Sequence, residues 1–384
     1  MSTDRPRYEH VDEVESLEVY EVGGYHPVHI GDCLNKYTII HKLGHGSYST
    51  TWLARHESRP GYAAVKIGTA TSTQKEANVL ETLAKSLPGQ PKPGKTLIPA
   101  LIDRFEVRGP NGSHPCLVTR PAMCSLADAV EAGDHRPFQT DVARSLAAQL
   151  AMAVAYMHSL GYVHGDLHYG NLLLQLPAEV NDLTHEQLYE TYDSPDPEPV
   201  LREDGKDLTP NAPSHVYAPI WMGLPNNEIS IENARLTLND FGTAYRPDVD
   251  KRLVSFTPLE IRPPEARFEP TEGLGFPSDI WSLGCMIWAL LGVDALGPMP
   301  DEWWQKWESK TKTQSFTENG VPKPGRDVWT FERRFEDSNQ KPRKEEGMEV
   351  LGDDERRALF DLIRSMLRFR PGDRMSASQV LEAE

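Results

Sequence analysis

The sequence has few cysteines, no long hydrophobic run and a shortage of basic residues. Its four cysteines include no CxxC pair, so neither a disulfide framework nor a cysteine-based metal site is expected. The longest apolar stretch, residues 280–293, is shorter than the ~17–25 residues that a membrane-spanning helix needs. The N-terminus also lacks the apolar segment of a signal peptide. We therefore expect an intracellular protein, in the cytoplasm, the nucleus or both, with no membrane partner.

The charge of the chain is strongly acidic and unevenly distributed. Its 384 residues carry 40 lysines and arginines against 57 acidic residues, a formal net charge of −17. This excess argues against direct nucleic-acid binding through bulk charge. Residues 1–35 and 176–239 together hold −15 of the −17, so the remainder is close to neutral. The second stretch also has eight prolines and is interpreted as a loop or partly disordered insert.

Hydrophobic periodicity divides the chain into a β-rich front and a helical back. Alternating or short apolar runs predict strands over residues 37–43, 51–54, 62–67, 97–107 and 116–119. Apolar residues at helical spacing predict helices over residues 74–87, 141–160, 278–291 and 353–368.

A glycine-rich turn follows the first predicted strand. Gly44 and Gly46 lie between Leu43 and Ser49, and glycines allow backbone N–H groups to approach a phosphate. A plain hairpin turn would use the same glycines. Lys66 then occurs inside a short apolar strand, where an ammonium group needs an anion or a position at the edge of the sheet.

Three polar residues in the helical part indicate phosphate chemistry. Asp166 and Asn171 stand five apart in a predicted turn and can face one cavity, and Asp240 follows later in Asp240-Phe241-Gly242. A carboxylate can serve as a general base, and carboxylate and amide oxygens suit Mg²⁺. The simpler alternative is a polar turn in which the aspartate acts as a cap.

In this order, the motifs resemble those of the eukaryotic protein kinases. The glycine-rich loop, strand lysine, HxDxxxxN loop, DFG tripeptide and a Pro-Pro-Glu sequence at 263–265 all appear. The resemblance implies an α+β, bilobal protein-kinase-like fold with an ATP site between the lobes. It places an acidic N-terminal extension at 1–35, a β-rich N-lobe at 36–119 and a helical C-lobe at 120–384, with a spacer-like acidic insert at 176–235.

Residues 24–53 resemble more specifically the serine/arginine-rich protein kinases, as does an insert between the catalytic loop and the DFG tripeptide. That resemblance implies a monomeric serine/threonine kinase that uses ATP and Mg²⁺. Its substrates would be serines in Arg/Ser-rich proteins, with a role in regulating mRNA splicing. The acidic segments would screen or recruit such basic partners.

The resemblance also implies roles for individual residues. The catalytic set would be Asp166, which accepts the substrate hydroxyl proton, with Lys66, His168 and Asn171. Asn171 and Asp240 would hold the metal. Glu76 would pair with Lys66, with Glu81 as the alternative. The remaining nucleotide contacts would be Leu43, Gly44, Gly46, Ser49, Thr51, Ala64, the gatekeeper Thr119 and Ala122 of the hinge. Glu265 and Arg374 would form a buried structural ion pair.

Four positions depart from the kinase pattern. Gly165 replaces the arginine of HRD, so no arginine there can bind an activation-loop phosphate. His168 replaces the lysine that contacts the transferred phosphate. Thr51 replaces a valine over the adenine, and Pro258 stands where a threonine near Asp166 is usual.

These departures leave two alternative functions open. One is a pseudokinase scaffold that binds nucleotide without turnover. The other is a small-molecule phosphotransferase, because residues 164–168 also resemble the aminoglycoside and choline phosphotransferases. Against the second, Asp279-Ile-Trp-Ser-Leu-Gly284 and the segment around Arg374 are typical of the protein-kinase large lobe.

Overall fold

The computed structural model describes residues 7–85, 94–134, 137–290, 300–306, 317, 323 and 331–383. The chain forms two compact units. The first combines residues 1–85, 99–124 and 175–223, and the second combines residues 86–98, 125–174 and 224–384. No helix in the described ranges is both long enough and apolar enough to cross a membrane.

The strands are Cys33–Leu34 (β1), Tyr37–Gly46 (β2), Ser49–His56 (β3), Tyr62–Gly68 (β4), Asp103–Gly109 (β5), Gly112–Thr119 (β6), Ala122–Ser125 (β7), Leu172–Gln175 (β8), Pro197–Pro199 (β9), His215–Tyr217 (β10) and Leu236–Leu238 (β11). The α-helices are Lys75–Ala84 (α1), Leu126–Ala132 (α2), Thr140–Ser159 (α3), His185–Tyr192 (α4), Glu265–Phe268 (α5), Phe276–Leu290 (α6), Asp301–Lys306 (α7), Phe331–Phe335 (α8), Lys341–Glu345 (α9), Asp353–Met366 (α10) and Ala377–Glu382 (α11). Single 3₁₀ turns occur at Leu17–Val19, Lys95–Leu97, Tyr169–Asn171, Ala178–Asp182, Asn226–Glu228, Leu259–Ile261 and Pro371–Asp373, and a π-helical turn at Glu336–Gln340.

The first unit is built on a six-stranded antiparallel sheet in the order β1-β2-β3-β4-β6-β5. The strands predicted over 37–43, 51–54, 62–67 and 116–119 are confirmed. The strand predicted over 97–107 begins only at Asp103. Pro99 explains the later start, because a proline has no N–H to donate to the sheet.

One face of this sheet forms the apolar core of the first unit. Trp52, Val65 and Val118 are opposite one another on β3, β4 and β6, so their side chains share that face. All three are buried, and the ring of Tyr217 meets the ring of Trp52 edge-on at 6.2 Å between centroids. The alternation of a strand therefore leaves the residues between them on the opposite face.

The acidic N-terminal segment, residues 7–34, is folded onto the same unit. Tyr8 forms a β-bridge with Arg202, and Glu9 N–H donates to the Leu201 carbonyl at 2.9 Å. A buried apolar cluster joins this segment to residues 200–216, and its members are Tyr8, Leu17, Tyr20, Tyr25, Val200, Ala212 and Val216. Hydrophobic burial therefore holds this acidic segment against residues 200–216.

The Pro-rich segment, which the sequence indicates to be a loop or a partly disordered insert, has irregular stretches that join helix α4 and strands β9 and β10. Residues 175–223 group with the first unit, whereas the sequence prediction attached the insert 176–235 to the helical lobe. Tyr189 Oη donates to the Ile40 carbonyl at 2.7 Å, and Ile220 N–H donates to the Lys42 carbonyl at 2.9 Å. Its apolar side chains, which include Val180, Leu188, Ile220 and Met222, are buried against Ile40, Leu53 and Tyr62.

The second unit is helical around α3, which confirms the helix predicted over 141–160. Ten residues of α3 are buried, because its apolar positions recur at helical spacing. Gly161 ends the helix with a φ of +83°, and Tyr162 N–H then reaches back to the Met157 carbonyl at 3.1 Å. The predicted helices at 278–291 and 353–368 correspond to α6 and α10; residue 291, and residues 86–87 of the helix predicted over 74–87, lie outside the described residues.

The predicted ion pair between Glu265 and Arg374 is present in this unit. The Arg374 guanidinium donates two hydrogen bonds of 2.7 Å to the two carboxylate oxygens, and both side chains are buried. It also donates to the carbonyls of Pro277, Arg368 and Phe369. A buried charge with all its donors satisfied stabilises the fold and has no free group for chemistry.

Candidate active site

The register of the sheet brings the predicted nucleotide contacts of the first unit onto one face. Thr51 lies opposite both Gly44 and Lys66, and Ala64 lies opposite Thr119. Directly opposed residues of antiparallel strands share a face, and Ala64 and Lys66 share it because they are two apart. This is the face opposite the apolar core that includes Trp52 and Val65. Ala122, the hinge residue, follows in β7.

The glycine-rich turn is the tip of the β2–β3 hairpin. Gly46 pairs with Ser49, and a register shift separates Lys42 from Gly44. A Cβ added at either glycine would meet no protein atom within 4 Å. The packing of the protein itself therefore does not demand glycine here. What the glycines provide is a backbone that a ligand can approach, as the predicted phosphate contact requires. Leu43 is half-buried just before the tip.

Lys66 is held by a carboxylate from α1. Its Nζ lies 2.7 Å from Glu76 Oε2, and both side chains are largely buried. Of the two carboxylates that the sequence offered, Glu76 makes this contact, whereas Glu81 meets Arg104 at 3.3 Å. Because an ammonium group in an apolar strand is costly without a counter-charge, this pair explains how Lys66 is tolerated on the sheet.

In the second unit, the segment 162–171 is anchored by one buried carboxylate, that of Asp279. Its two oxygens accept hydrogen bonds from the backbone N–H groups of His164 at 2.7 Å and Gly165 at 3.0 Å. His158 Nε2 lies 3.0 Å from the same carboxylate. Burial alone would raise the pKa of Asp279, but hydrogen bonds from His158 and Gly165 hold it below its usual value. The carboxylate therefore stays ionised and fixes the loop.

His164 is a structural residue whose tautomer follows from its contacts. Its Nδ1 accepts a hydrogen bond from Asp166 N–H at 3.3 Å, so its Nε2 carries the proton and donates to the Asn239 carbonyl at 3.0 Å. Thr243 Oγ1 donates to the His164 carbonyl at 2.9 Å. The sequence motifs predict the loop but not these hydrogen bonds, and Asp279 belongs there only to the motif at 279–284. The one feature that could have indicated its role is an acidic residue near the start of an otherwise apolar helix.

Asp166 and His168 lie side by side without forming a hydrogen bond. His168 Nε2 is 3.8 Å from Asp166 Oδ1, and that oxygen is buried with no hydrogen-bond partner in the described part of the chain. His168 Nδ1 accepts from Gly170 N–H at 3.1 Å, so the ring proton is on Nε2. Burial raises the pKa of Asp166, although the neighbouring imidazoles oppose the shift. Burial lowers the pKa of His168, although Asp166 opposes it, so His168 is neutral at pH 7.

Asn171 and Asp240, the predicted metal ligands, are brought together by the backbone. Asn171 Nδ2 donates to the Asp166 carbonyl at 2.9 Å, which leaves its amide oxygen as the available ligand atom. Asn239 N–H donates to the Asn171 carbonyl at 2.8 Å, so Asp240 follows directly. The described residues contain no group of three or more His, Cys, Asp or Glu side chains arranged as a metal site. A carboxylate and an amide oxygen fit Mg²⁺, which takes its other ligands from phosphate and water.

The departure at Gly165 has a conformational cause. Its φ is +79°, a region that other residues rarely adopt, and a Cβ there would lie 3.2 Å from the Tyr245 ring. An arginine at this position would be strained by the backbone and crowded by Tyr245.

The departure at Pro258 lies at the start of a turn, next to the buried Thr257. The Thr257 carbonyl accepts a hydrogen bond from Arg262 Nε at 2.8 Å.

Comparison with known proteins agrees with this geometry. A family model for the protein kinase domain matches residues 37–183. A serine/threonine protein kinase of Aspergillus fumigatus is 26% identical over 388 residues, which cover 96% of this chain and 89% of that protein. SRSF protein kinase 3 of Homo sapiens is 32% identical over 170 residues, which cover 42% of this chain and 30% of that protein. A crystal structure of a kinase domain has a TM-score of 0.60 at 18% identity, covering 94% of this chain and 98% of that one. The predicted fold, a β-sheet lobe and a helical lobe, is thereby confirmed.

Proposed function

We propose that this chain is a serine/threonine protein kinase that phosphorylates serines in Arg/Ser-rich proteins. The observation that carries the proposal is the half-buried Asp166 carboxylate, whose Oδ1 has no hydrogen-bond donor among the described residues, in a loop that Asp279 and Asn171 fix in place. A carboxylate with an unfilled acceptor position is suited to take the proton of a substrate hydroxyl. The name of SRSF protein kinase 3 supports the Arg/Ser-rich class, and so does the acidic charge of this chain.

In the proposed reaction, the serine hydroxyl donates its proton to Asp166 while its oxygen bonds to the γ-phosphorus of ATP. The bond between that phosphorus and the β–γ bridging oxygen breaks, and ADP leaves. Lys66, kept charged beside Glu76, would hold the α- and β-phosphates. Mg²⁺, held by Asn171 and Asp240, would neutralise phosphate charge when bound. The protein contributes mainly position and electrostatics.

Two alternatives have an observation in their favour. The neutral His168 at the position of a phosphate-binding lysine favours a nucleotide-binding scaffold with no turnover. The HGDLH sequence at 164–168 favours phosphorylation of a small alcohol. The ion pair between Lys66 and Glu76 is compatible with nucleotide binding in either a kinase or such a scaffold, so only a turnover assay separates the two.

Transfer of radiolabelled phosphate from ATP to two matched peptides tests the proposal. One peptide repeats Arg-Ser, and the other repeats Gln-Ser at the same length. We expect a higher kcat/KM for the Arg-Ser peptide, with the difference shrinking as ionic strength rises from about 0.05 to 0.5 M, because salt screens exposed charges. Equal rates on both peptides would reject the Arg/Ser preference. No transfer to either peptide, with ATP still raising the melting temperature, would support the scaffold.

The replacement His168→Lys is expected to change the pH dependence of this reaction. Because the pKa of His168 is lowered, wild-type kcat should rise as pH falls from about 8 towards 6, where the imidazole begins to gain a proton. A lysine is charged throughout, so kcat of the variant should be flat over this range and up to about tenfold higher at pH 8, the effect of one charge-assisted hydrogen bond. A His168→Gln variant, which cannot titrate, should be flat without the increase. Parallel pH profiles for all three proteins would show that position 168 does not contact the transferred phosphate.

A further inference from the structure

The glycine-rich hairpin of the first unit is contacted from outside the sheet by the N-terminal segment. Tyr25 Oη donates a 2.7 Å hydrogen bond to the backbone carbonyl of Gly46. Glu15 forms an ion pair with Lys42, on the strand that leads into the hairpin. Two contacts from one short segment thus converge on residues 42–46.

The ion pair between Glu15 and Lys42 is enclosed by protein. The Lys42 side chain is 0% exposed and the Glu15 side chain is 1% exposed. Burial lowers the pKa of Lys42, and Glu15 opposes that shift. The Tyr20 hydroxyl donates to the other oxygen of Glu15, and the Trp52 ring centroid lies 5.9 Å from Lys42 Nζ. Since a buried ammonium without its partner is strongly destabilising, strand β2 depends on the N-terminal segment for its own charge balance.

The backbone around Tyr25 is fixed independently of the hairpin. Ala70 N–H donates to the Gly24 carbonyl at 2.9 Å, and Asn111 Nδ2 donates to the Tyr25 carbonyl at 2.6 Å. The same Asn111 amide donates to the Asn211 carbonyl at 2.8 Å in the Pro-rich segment. A Cβ at Gly24 would lie 1.7 Å from the Val19 carbonyl oxygen, so the chain is closely packed there. These contacts therefore fix the backbone from which the Tyr25 side chain extends to Gly46.

Besides the pairing of its strands, the far side of the hairpin tip is held by hydrogen bonds to the Tyr48 carbonyl from Thr69 N–H at 2.9 Å and from Ser72 Oγ at 3.3 Å. Residues 45–48 are exposed, and Tyr48 is 72% exposed. Neither glycine has a side chain to pack, and a Cβ placed on either would have no atom of the described residues within 4 Å. The position of this backbone therefore depends on the strand pairing and on the groups that hydrogen-bond to its carbonyl oxygens. Tyr25 makes such a hydrogen bond to Gly46, a residue predicted to cover the phosphates.

We propose that Tyr25 is a positioning residue for nucleotide binding: its hydroxyl holds the Gly46 carbonyl so that the backbone of the glycine-rich hairpin is preorganised for ATP. This inference rests on the proposed function only in taking the hairpin as the phosphate-binding element. The N-terminal segment, bound to the sheet through Glu15 and to residues 200–216 through its apolar side chains, thereby becomes part of the nucleotide site.

The variant Tyr25→Phe removes the hydroxyl and leaves the aromatic ring. We expect the Kd for ATP, measured by calorimetry without peptide, to rise about three- to tenfold, the effect of losing one hydrogen bond and the order that it imposes. KM for ATP should rise in parallel, with kcat at saturating ATP within about twofold of wild type, because Tyr25 does not contact the reacting atoms. Amide hydrogen exchange of residues 44–50 in the free protein should become faster.

Tyr189→Phe is the matched control. It removes a hydrogen bond of the same 2.7 Å length from another tyrosine to the same strand, but at the Ile40 carbonyl, away from the hairpin tip. We expect its ATP affinity and its exchange at residues 44–50 to equal those of wild type. Equal changes in both variants would mean a general loss of stability, and no change in Tyr25→Phe would overturn the inference. If the wild-type protein fails to bind ATP, the proposed function fails, while the exchange comparison still decides whether Tyr25 orders the hairpin.

Discussion

Replacing Asp166 by asparagine should lower kcat about 10²- to 10⁴-fold, the usual contribution of a general base. The amide is close in size and keeps the loop geometry, since the Asp166 N–H to His164 and the Asp166 carbonyl to Asn171 are backbone contacts. What disappears is the acceptor for the serine proton. Because burial raises the pKa of the Asp166 carboxyl, an uncharged side chain is accommodated at this position, and we expect no loss of melting temperature.

The measurement is phosphate transfer to the Arg-Ser peptide, with nucleotide affinity measured separately. Asn239→Ala is a suitable control, because the contacts of Asn239 with the loop, its N–H to Asn171 and its carbonyl to His164, are made by the backbone. That variant should keep kcat within about threefold of wild type, in the range of a minor surface or side-chain change. Asp166→Asn should keep wild-type affinity for ATP. If Asp166→Asn retained full transfer, Asp166 would not be the base, and the assignment of the loop would be wrong.

Much of the fold follows from local pattern. Strands β2, β3 and β4 were predictable because one face of each must enter an apolar core, which imposes alternation on the sequence. Helix α3 was predictable because its apolar stripe ends at Gly161, the residue type that reverses a helix end. The candidate site was found because its residues stand in short motifs with fixed spacing, from Asp166 to Asn171 and in Asp240-Phe241-Gly242.

What could not be predicted depends on contacts between distant residues. Asp279 holds the loop through backbone N–H groups of His164 and Gly165, more than a hundred residues earlier, and nothing local to Asp279 indicates which donors it meets. The buried apolar residues of segment 175–223, such as Leu188, Val200 and Val216, lie in short groups separated by polar residues and prolines, with no sustained strand or helix period. Its prolines and acidic residues dominate the composition, so that composition suggested exposure where the structure has a core.

Because segment 175–223 is packed into the first unit, its deletion is expected to destabilise the protein. From its charge, deletion would be expected to leave turnover intact, because an exposed acidic loop contributes little to a catalytic body. In the structure, its buried apolar residues are Val180, Leu188, Val200, Ala212, Val216, Tyr217, Ile220 and Met222. At roughly 1.5–3 kcal/mol for each large side chain, their loss is comparable to the ~5–15 kcal/mol that stabilises a whole domain. We therefore expect a protein with residues 176–223 replaced by a short Gly/Ser linker to lose the cooperative thermal transition of the first unit and, with it, nucleotide binding.

A second variant separates the effect of the negative charge of segment 175–223 from the effect of its buried apolar residues. Glu190→Gln, Asp196→Asn and Glu198→Gln together remove three exposed negative charges from the segment and leave every buried residue in place. This triple variant should melt within about 2 °C of wild type, as surface substitutions of small effect do. If charge recruits the substrate, its kcat/KM on the Arg-Ser peptide should fall at low salt while its rate on the Gln-Ser peptide is unchanged. A linker protein that melted like wild type and retained ATP binding would refute the structural role, and the acidic charge of the segment would then be its only remaining function. If instead the linker protein unfolds and the triple variant keeps its preference for arginine, the acidic residues contribute to solubility, and the segment is retained for the core it completes.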